Sequence, residues 1–332
     1  MFAEHSPLSW HFGGPIGVFC FFALSGFLVT GVLLEHSSGS LSARLKRFYL
    51  RRTLRIFPVY YLTLSVLLLA GALPNALWYF TYTTNHLVFR MRAFDPGIGH
   101  FWTLAVEEWF YILFPLFLLR SAKPTSLVIT LLIASKVIRC ALAFNTPAPW
   151  FTLLLPVCGE YLLWGALASL AYRNAWSAKL PAWLLCASGL ILVTAYYTLR
   201  GVPGSGTSTL LLCLDGTPDG LGFALLILGL ARWQVGAPSV MSRKSVSTLA
   251  SPLASLLASP FIGLGRISYA LYIFHLIVLQ FGLGSRLAES LHLTLAPTLR
   301  AYLVDLPLTI AMGIASWYFV EKPCLAAKAR FA

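Results

Sequence analysis

The chain is broken into apolar runs of about 17–25 residues, each long enough to carry a helix across a hydrocarbon core of roughly 30 Å. They fall near residues 15–34, 56–73, 102–119, 126–144, 150–171, 181–199, 217–232, 261–284 and 299–320. Hydrophobic residues make up 58% of the 332 positions and charged ones 11%, against roughly 45–50% and 25% in globular domains. A soluble enzyme, a disordered chain and a collagen-like repeat are thereby excluded. In lipid, every backbone polar group must find its partner inside the protein, and a helix does this within one segment. The expected fold is all-α: a single polytopic transmembrane helix bundle over residues 1–332, with about nine spans and no separate soluble domain. The longest stretches between runs are 72–101, 200–216 and 233–260, and the Ser-rich part of the last, 237–259, reads as a loop.

Lysine and arginine set the orientation, because they concentrate on the cytoplasmic side of short loops. With loop 35–55 inside, 17 of the 24 basic residues fall on that side, among them Arg44, Lys46, Arg47, Arg51, Arg52, Arg55, Arg120, Lys123, Arg266 and Lys322. Arg90, Arg92, Lys136, Arg139, Arg200, Arg286 and Arg300 fall on the other. The C-terminus is therefore expected in the cytoplasm and the N-terminus outside. Topology accounts for the net charge of +13, and nucleic acid is not an expected partner. Residues 1–14 hold no Lys or Arg, so they lack the basic start of a cleavable signal peptide. An outward-facing start with no span before it is what a shortened or missing first helix would leave. The six cysteines contain no CxxC pair and read as small buried residues, with neither a disulfide framework nor a metal site.

Four segments carry polar residues in patterns worth chemistry. Around Ser25 and Gly26, the aromatic-rich segment 17–27 reads on its own as a packing surface, since small residues let helices approach closely. Arg44, Arg47, Arg51 and Arg55 recur at spacings of 3, 4 and 4, a basic stripe on one helix face. It serves either as an anchor among anionic headgroups or as a grip on a phosphate-bearing donor, which guanidinium groups bind bidentately. His100, Thr103, Glu107 and Tyr111 share a face, whereas the adjacent Glu107 and Glu108 point about 100° apart. A carboxylate near the start of a span is a functional candidate by default, the alternative being a structural partner for a buried Arg or His. Tyr272 and His275 also share a face within a span. Such a histidine is either a hydrogen-bonded packing residue or a proton shuttle. Glu321-Lys322-Pro323 reads as an interfacial stop, because proline disfavours continued helix.

Taken in order, these segments resemble the acyltransferase-3 family. The match consists of Phe21-Phe22-x-x-Ser25-Gly26-Phe27, Arg51-Arg52-x-x-Arg55-Ile56-x-Pro58, Trp102-x-Leu104-x-x-Glu107-Glu108-x-Phe110-Tyr111 with Pro115, Ser268-Tyr269-x-x-Tyr272-x-x-His275, and Glu321-Lys322-Pro323. It runs from about His5 to Pro323, with residues 120–260 matching in hydropathy alone. The resemblance implies a bacterial inner-membrane O-acyltransferase, usually of ten helices. Such proteins move an acyl group, often acetyl, from cytoplasmic acyl-CoA to a hydroxyl on an extracytoplasmic acceptor such as a cell-envelope or secreted glycan or a glycolipid. It implies His5 as the general base, with His11 the weaker match, and Glu107 as an orienting or charge-setting group. Arg51, Arg52 and Arg55 would lie on the donor's side, and Ser25, Tyr272, His275 and Glu321 are further motif residues. No permanently bound cofactor or metal is implied, acyl-CoA being a substrate, and the oligomeric state is left open. Two departures stand out. The family's first-helix Arg would lie upstream of Met1, and Phe19 stands where the family often has Asp.

The chemistry suits these residue types. An acceptor hydroxyl attacks a thioester poorly unless a base takes its proton, and neutral imidazole near pH 7 typically contributes 10²–10⁴-fold. The oxyanion that forms needs a fixed donor or cation nearby. Two other readings remain at this point: a transporter using Glu107 and His275 as a proton relay, and an inactive acyltransferase homologue.

Overall fold

The computed structural model describes residues 14–35, 39–145, 150–200, 209–236 and 252–326. Every regular element among them is helical. Eight helices are long and apolar enough to cross a bilayer: Ile16–Glu35, Leu41–Leu69, Gly99–Leu118, Pro124–Asn145, Ala182–Arg200, Thr209–Trp233, Gly263–Gln280 and Pro297–Ala326. Each coincides with an expected span, in keeping with a polytopic helical bundle. The ninth expected span, 150–171, also forms a helix, Leu155–Tyr172, but it is not among the eight. Twelve of its 18 residues are buried. A helix enclosed by protein can carry Glu160, Tyr161, Trp164 and Ser169, which lipid would penalise.

The described residues fall into two compact units, one drawn from Met1–Arg44 and Ala105–Val240, the other from Leu45–Leu104 and Met241–Ala332. In the first, α1 is Gly14–Glu35. Two helices bracket the unit boundaries: α2, Leu41–Leu69, passes into the second unit after Arg44, and α5, Trp102–Leu118, passes back after Leu104. The rest of the first unit comprises α6 Pro124–Asn145, α7 Leu155–Tyr172, the short α8 Ala175–Ala178, α9 Ala182–Arg200, α10 Thr209–Leu214 and α11 Pro218–Gly236. Helix α7 is the hub, packed against α1, α6 and α11, while α9 pairs with α11. The α1–α7 crossing depends on glycine. A Cβ on Gly26 would overlap the Leu162 carbonyl oxygen, and one on Gly165 the Ala23 carbonyl oxygen. The small residues near Ser25 thus do what their size allows. On α1, Phe22, Val29 and Leu33 are buried while Phe21, Leu24, Leu28 and Val32 are exposed. An outer face that is also apolar suits lipid rather than water.

The second unit holds most of α2, the short helices α3 Ala76–Phe80 and α4 Thr84–Met91, and the long α12 Pro252–Gln280. It continues through α13 Leu283–Ser290 and α14 Pro297–Arg300 to α15 Leu306–Ser316 and α16 Lys322–Ala326. Helix α2 starts well before the expected 56, because the basic stripe is helical too. Its 29 residues span about 44 Å at 1.5 Å per residue, more than the hydrocarbon core, so the arginine-bearing end extends beyond it. The stretch 72–101 is also more ordered than a loop. The Tyr60 hydroxyl donates to the Tyr79 carbonyl at 2.8 Å, and the Tyr79 hydroxyl donates to Asp95 Oδ2 at 2.8 Å. Burial, reinforced by Asp95, holds the Tyr79 phenol above its ordinary pKa.

The last helix corrects the expected stop at Glu321-Lys322-Pro323. Wide π turns occupy Ala301–Asp305 and Trp317–Glu321, and helix resumes over Lys322–Ala326. Pro323 therefore sits in the first turn of a new α segment, where a missing N–H is tolerated.

Candidate functional site

The second unit gathers the motif residues of α2, the start of α5 and α12. A 3₁₀ turn, Gly99–Phe101, leads into α5 and carries His100 and Thr103 to Tyr272 and His275. The Tyr272 hydroxyl donates to the His100 carbonyl at 3.1 Å and meets the Thr103 hydroxyl. His100 and His275 have ring centroids 4.9 Å apart, and His100 and Tyr272 5.3 Å. Both imidazoles face carbonyls, which assigns their protons. His275 donates through Nδ1 to the Tyr272 carbonyl at 2.7 Å, and His100 through Nε2 to the Ile273 carbonyl at 3.3 Å. In the neutral rings the lone pairs then lie on His275 Nε2 and His100 Nδ1. His100 Nδ1 is buried with no hydrogen-bond partner among the described residues.

The same α12 face reaches the arginine helix. The Tyr269 hydroxyl donates to the carbonyl of Ile56 at 3.2 Å, directly beside Arg55. Arg51 and Arg52 are half-buried and Arg55 exposed. Glu321, 1% exposed, accepts from the Ser316 hydroxyl at 3.3 Å. Tyr269, Tyr272 and His275 thus form a polar row along one helix, rising about 9 Å at 1.5 Å per residue from the level of the arginines to the histidine pair.

The remaining predicted residues belong to the first unit or fall outside the described residues. Glu107, 6% exposed, belongs to the first unit and accepts from Tyr111, one turn on, at 2.9 Å. Ser25 is buried on α1 beside the Gly26 crossing. His5 and His11 lie outside the described residues.

Two arrangements escaped the sequence reading. His100 shares a face with Thr103, but nothing in the linear pattern pairs it with α12. The larger omission is a charged network in the first unit. Glu160 on α7 lies 3.1 Å from Lys136 Nζ and 3.4 Å from Arg139 Nε, both on α6. Arg200 at the end of α9 pairs with Asp215 at 2.7 Å, and Asp219 accepts from Tyr161 and Tyr197 at 2.8 and 3.3 Å. A signal was available: ionisable residues within apolar runs are costly unless paired and mark function by default. The charge count had entered Lys136, Arg139 and Arg200 only as outer-side cations.

The family profile described as an acyltransferase domain matches residues 2–316. The chain is 34% identical over 134 residues to the peptidoglycan O-acetyltransferase OatA of Listeria monocytogenes, covering 35% of this chain and 22% of that protein. It is 25% identical over 356 aligned positions to the O-acetyltransferase OatA of Staphylococcus aureus, covering 96% of this chain and 54% of the relative. The chain thus spans about half the length, or less, of these curated relatives. No solved structure matches it significantly. With nearly its whole length matched, and with its motifs in the family's order on a polytopic helical bundle, the chain belongs to the acyltransferase-3 family.

Proposed function

We propose that the chain moves an acyl group, acetyl in the first instance, from cytoplasmic acyl-CoA to a hydroxyl of a cell-envelope or secreted glycan. It would do so in the bacterial inner membrane, with its C-terminus in the cytoplasm. The observation that carries this reading is the bond from Tyr269 to the Ile56 carbonyl. It fixes the Tyr269–His275 row against the helix bearing Arg51, Arg52 and Arg55. Guanidinium groups suit the phosphates of a coenzyme A donor, and the row leads from them to two imidazoles with assigned lone pairs. The relatives' names, which specify O-acetyl transfer and in one case peptidoglycan, favour a wall glycan as acceptor.

In this reading His5 takes the acceptor's proton as its oxygen attacks the thioester carbonyl and gives it to the departing sulfur as the C–S bond breaks, so coenzyme A leaves as the thiol. The arginines hold the donor's phosphates, Glu107 orients a neighbour or sets local charge, and no permanently bound cofactor takes part. The test uses membranes containing the chain, labelled acetyl-CoA and total envelope glycans. Label should enter an alkali-labile ester and be lost in His5→Ala. Unchanged label in that variant removes His5 as base, and no ester in the unaltered protein overturns the reading.

A further inference from the structure

The charged network of the first unit includes none of the residues given catalytic or donor roles. Bilayers tolerate such groups when they are paired or when they meet a ligand, and around Glu160 the pairing is doubled. Glu160 has two cations, and Arg139 alone would neutralise it, since both are almost wholly buried at 2% and 1% exposure. The second cation, Lys136, is 26% exposed. Its ammonium donates to the Asp215 carbonyl at 2.6 Å and faces Glu160 Oε1 at 3.1 Å. Lysine has three N–H donors, so one has no partner among the described residues.

Asp215 brings the second accessible cation alongside. Its Oδ2 takes Arg200 Nη2 at 2.7 Å, its Oδ1 takes the Tyr196 hydroxyl at 2.6 Å, and its carbonyl takes Lys136. Arg200 is 20% exposed and Asp215 9%. The carboxylates and Arg139 are thus the sealed part of the network, and Lys136 and Arg200 are its more exposed cations. In the same network Asp219, 0% exposed, has two phenols on Oδ2 and no hydrogen-bond partner on Oδ1 among the described residues. The turn between α10 and α11 is shaped around the same groups. Gly216 has φ +84°, and a Cβ there would lie 2.6 Å from Glu160 Oε2 and 3.0 Å from Arg139 Nη2.

Lys136, Arg139 and Arg200 all belong to the basic residues that the charge count places outside, where an acceptor arrives. We infer that this network binds the acceptor and that the acceptor is an acidic glycan, its carboxylate or phosphate docking on Lys136 and Arg200. This rests on the acyl-transfer reading, which it deepens.

The test is equilibrium binding to the full chain in detergent without any acyl donor. The probes are a uronate-containing tetrasaccharide, the same oligosaccharide with its carboxylates reduced to neutral alcohols, and a phosphorylated oligosaccharide. The unaltered protein should hold an acidic probe at least tenfold more tightly than the neutral one, and the better acidic probe identifies the anion. In Lys136→Met and Arg200→Met the acidic and neutral probes should come within twofold, while Lys136→Arg keeps the preference. Raising salt from 50 to 500 mM should weaken acidic binding in the unaltered protein, a readout that needs no variant to fold. Equal binding of all probes overturns the inference, as does a variant that weakens them all alike. Acyl transfer measured separately keeps the two ideas distinct. Selective binding without transfer overturns the transferase reading alone, and transfer without selective binding overturns the acceptor site alone.

Discussion

Glu160→Gln is the sharpest test of how the first unit is held together. The substitution keeps shape and leaves an oxygen for the Thr217 hydroxyl, which donates to Oε1 at 2.9 Å. It removes the charge between Lys136 and Arg139. Lys136, a quarter exposed, can rehydrate, so its share of the loss is of the order of an exposed pair, about 0–1 kcal/mol. Arg139, 2% exposed, cannot. Its Nη2 keeps the Val157 carbonyl at 3.3 Å, but its charge is left buried without a carboxylate at 3.4 Å. Breaking a buried pair from one side costs about 3–5 kcal/mol, and Glu160→Gln should fall in that range. Adding Arg139→Met should recover about 2 kcal/mol or more, because the stranded charge goes with it. Reversible unfolding in mixed micelles, run as a double-mutant cycle, measures both. A cost below about 1 kcal/mol for Glu160→Gln, or a double variant no better than the single, would refute the reasoning.

Two further outcomes follow from local geometry. Gly216→Ala forces a side chain into the left-handed region, about 1–2 kcal/mol, and against Glu160 Oε2 at 2.6 Å. It should lower the thermal midpoint, whereas Gly263→Ala, where a Cβ meets nothing, should be neutral or stabilising in its helix; equal effects would sink the assignment. Tyr79 holds its proton more tightly folded than unfolded. Its contribution is therefore whole below the unfolded pKa of about 10 and declines as pH rises above it, by up to about 1.4 kcal/mol per pH unit. Thermal midpoints between pH 9 and 11 should fall more steeply in the unaltered protein than in Tyr79→Phe, and matching slopes would contradict this.

Helix type and the places of eight of the nine expected spans were readable because lipid demands long apolar runs and leaves little else to build. The α1–α7 crossing was half readable. Gly26 and Ser25 announced a close approach, but only the fold supplies Gly165 and Leu162 opposite. Arg44, Arg47, Arg51 and Arg55 declared a basic face through spacing alone, and Tyr272 with His275 declared a shared face through one helical turn. What stayed hidden depends on distance across the fold. His100 meets His275 over 175 positions, and Lys136 meets the Asp215 carbonyl over 79. The Pro323 stop failed for a different reason: a proline rule assumes α geometry, and the preceding turn is π.

The Lys136–Arg139–Glu160 triad also constrains how the chain enters the membrane during synthesis. Helix α6 emerges with two cations inside an apolar run, while their counter-ion waits on α7 and Asp215 is made later still. Neither lysine nor arginine can settle in lipid alone at little expense, so α6 and α7 should leave the insertion machinery as a hairpin, with Glu160 already beside both cations. Biogenesis thus acquires an order that hydropathy alone would not impose.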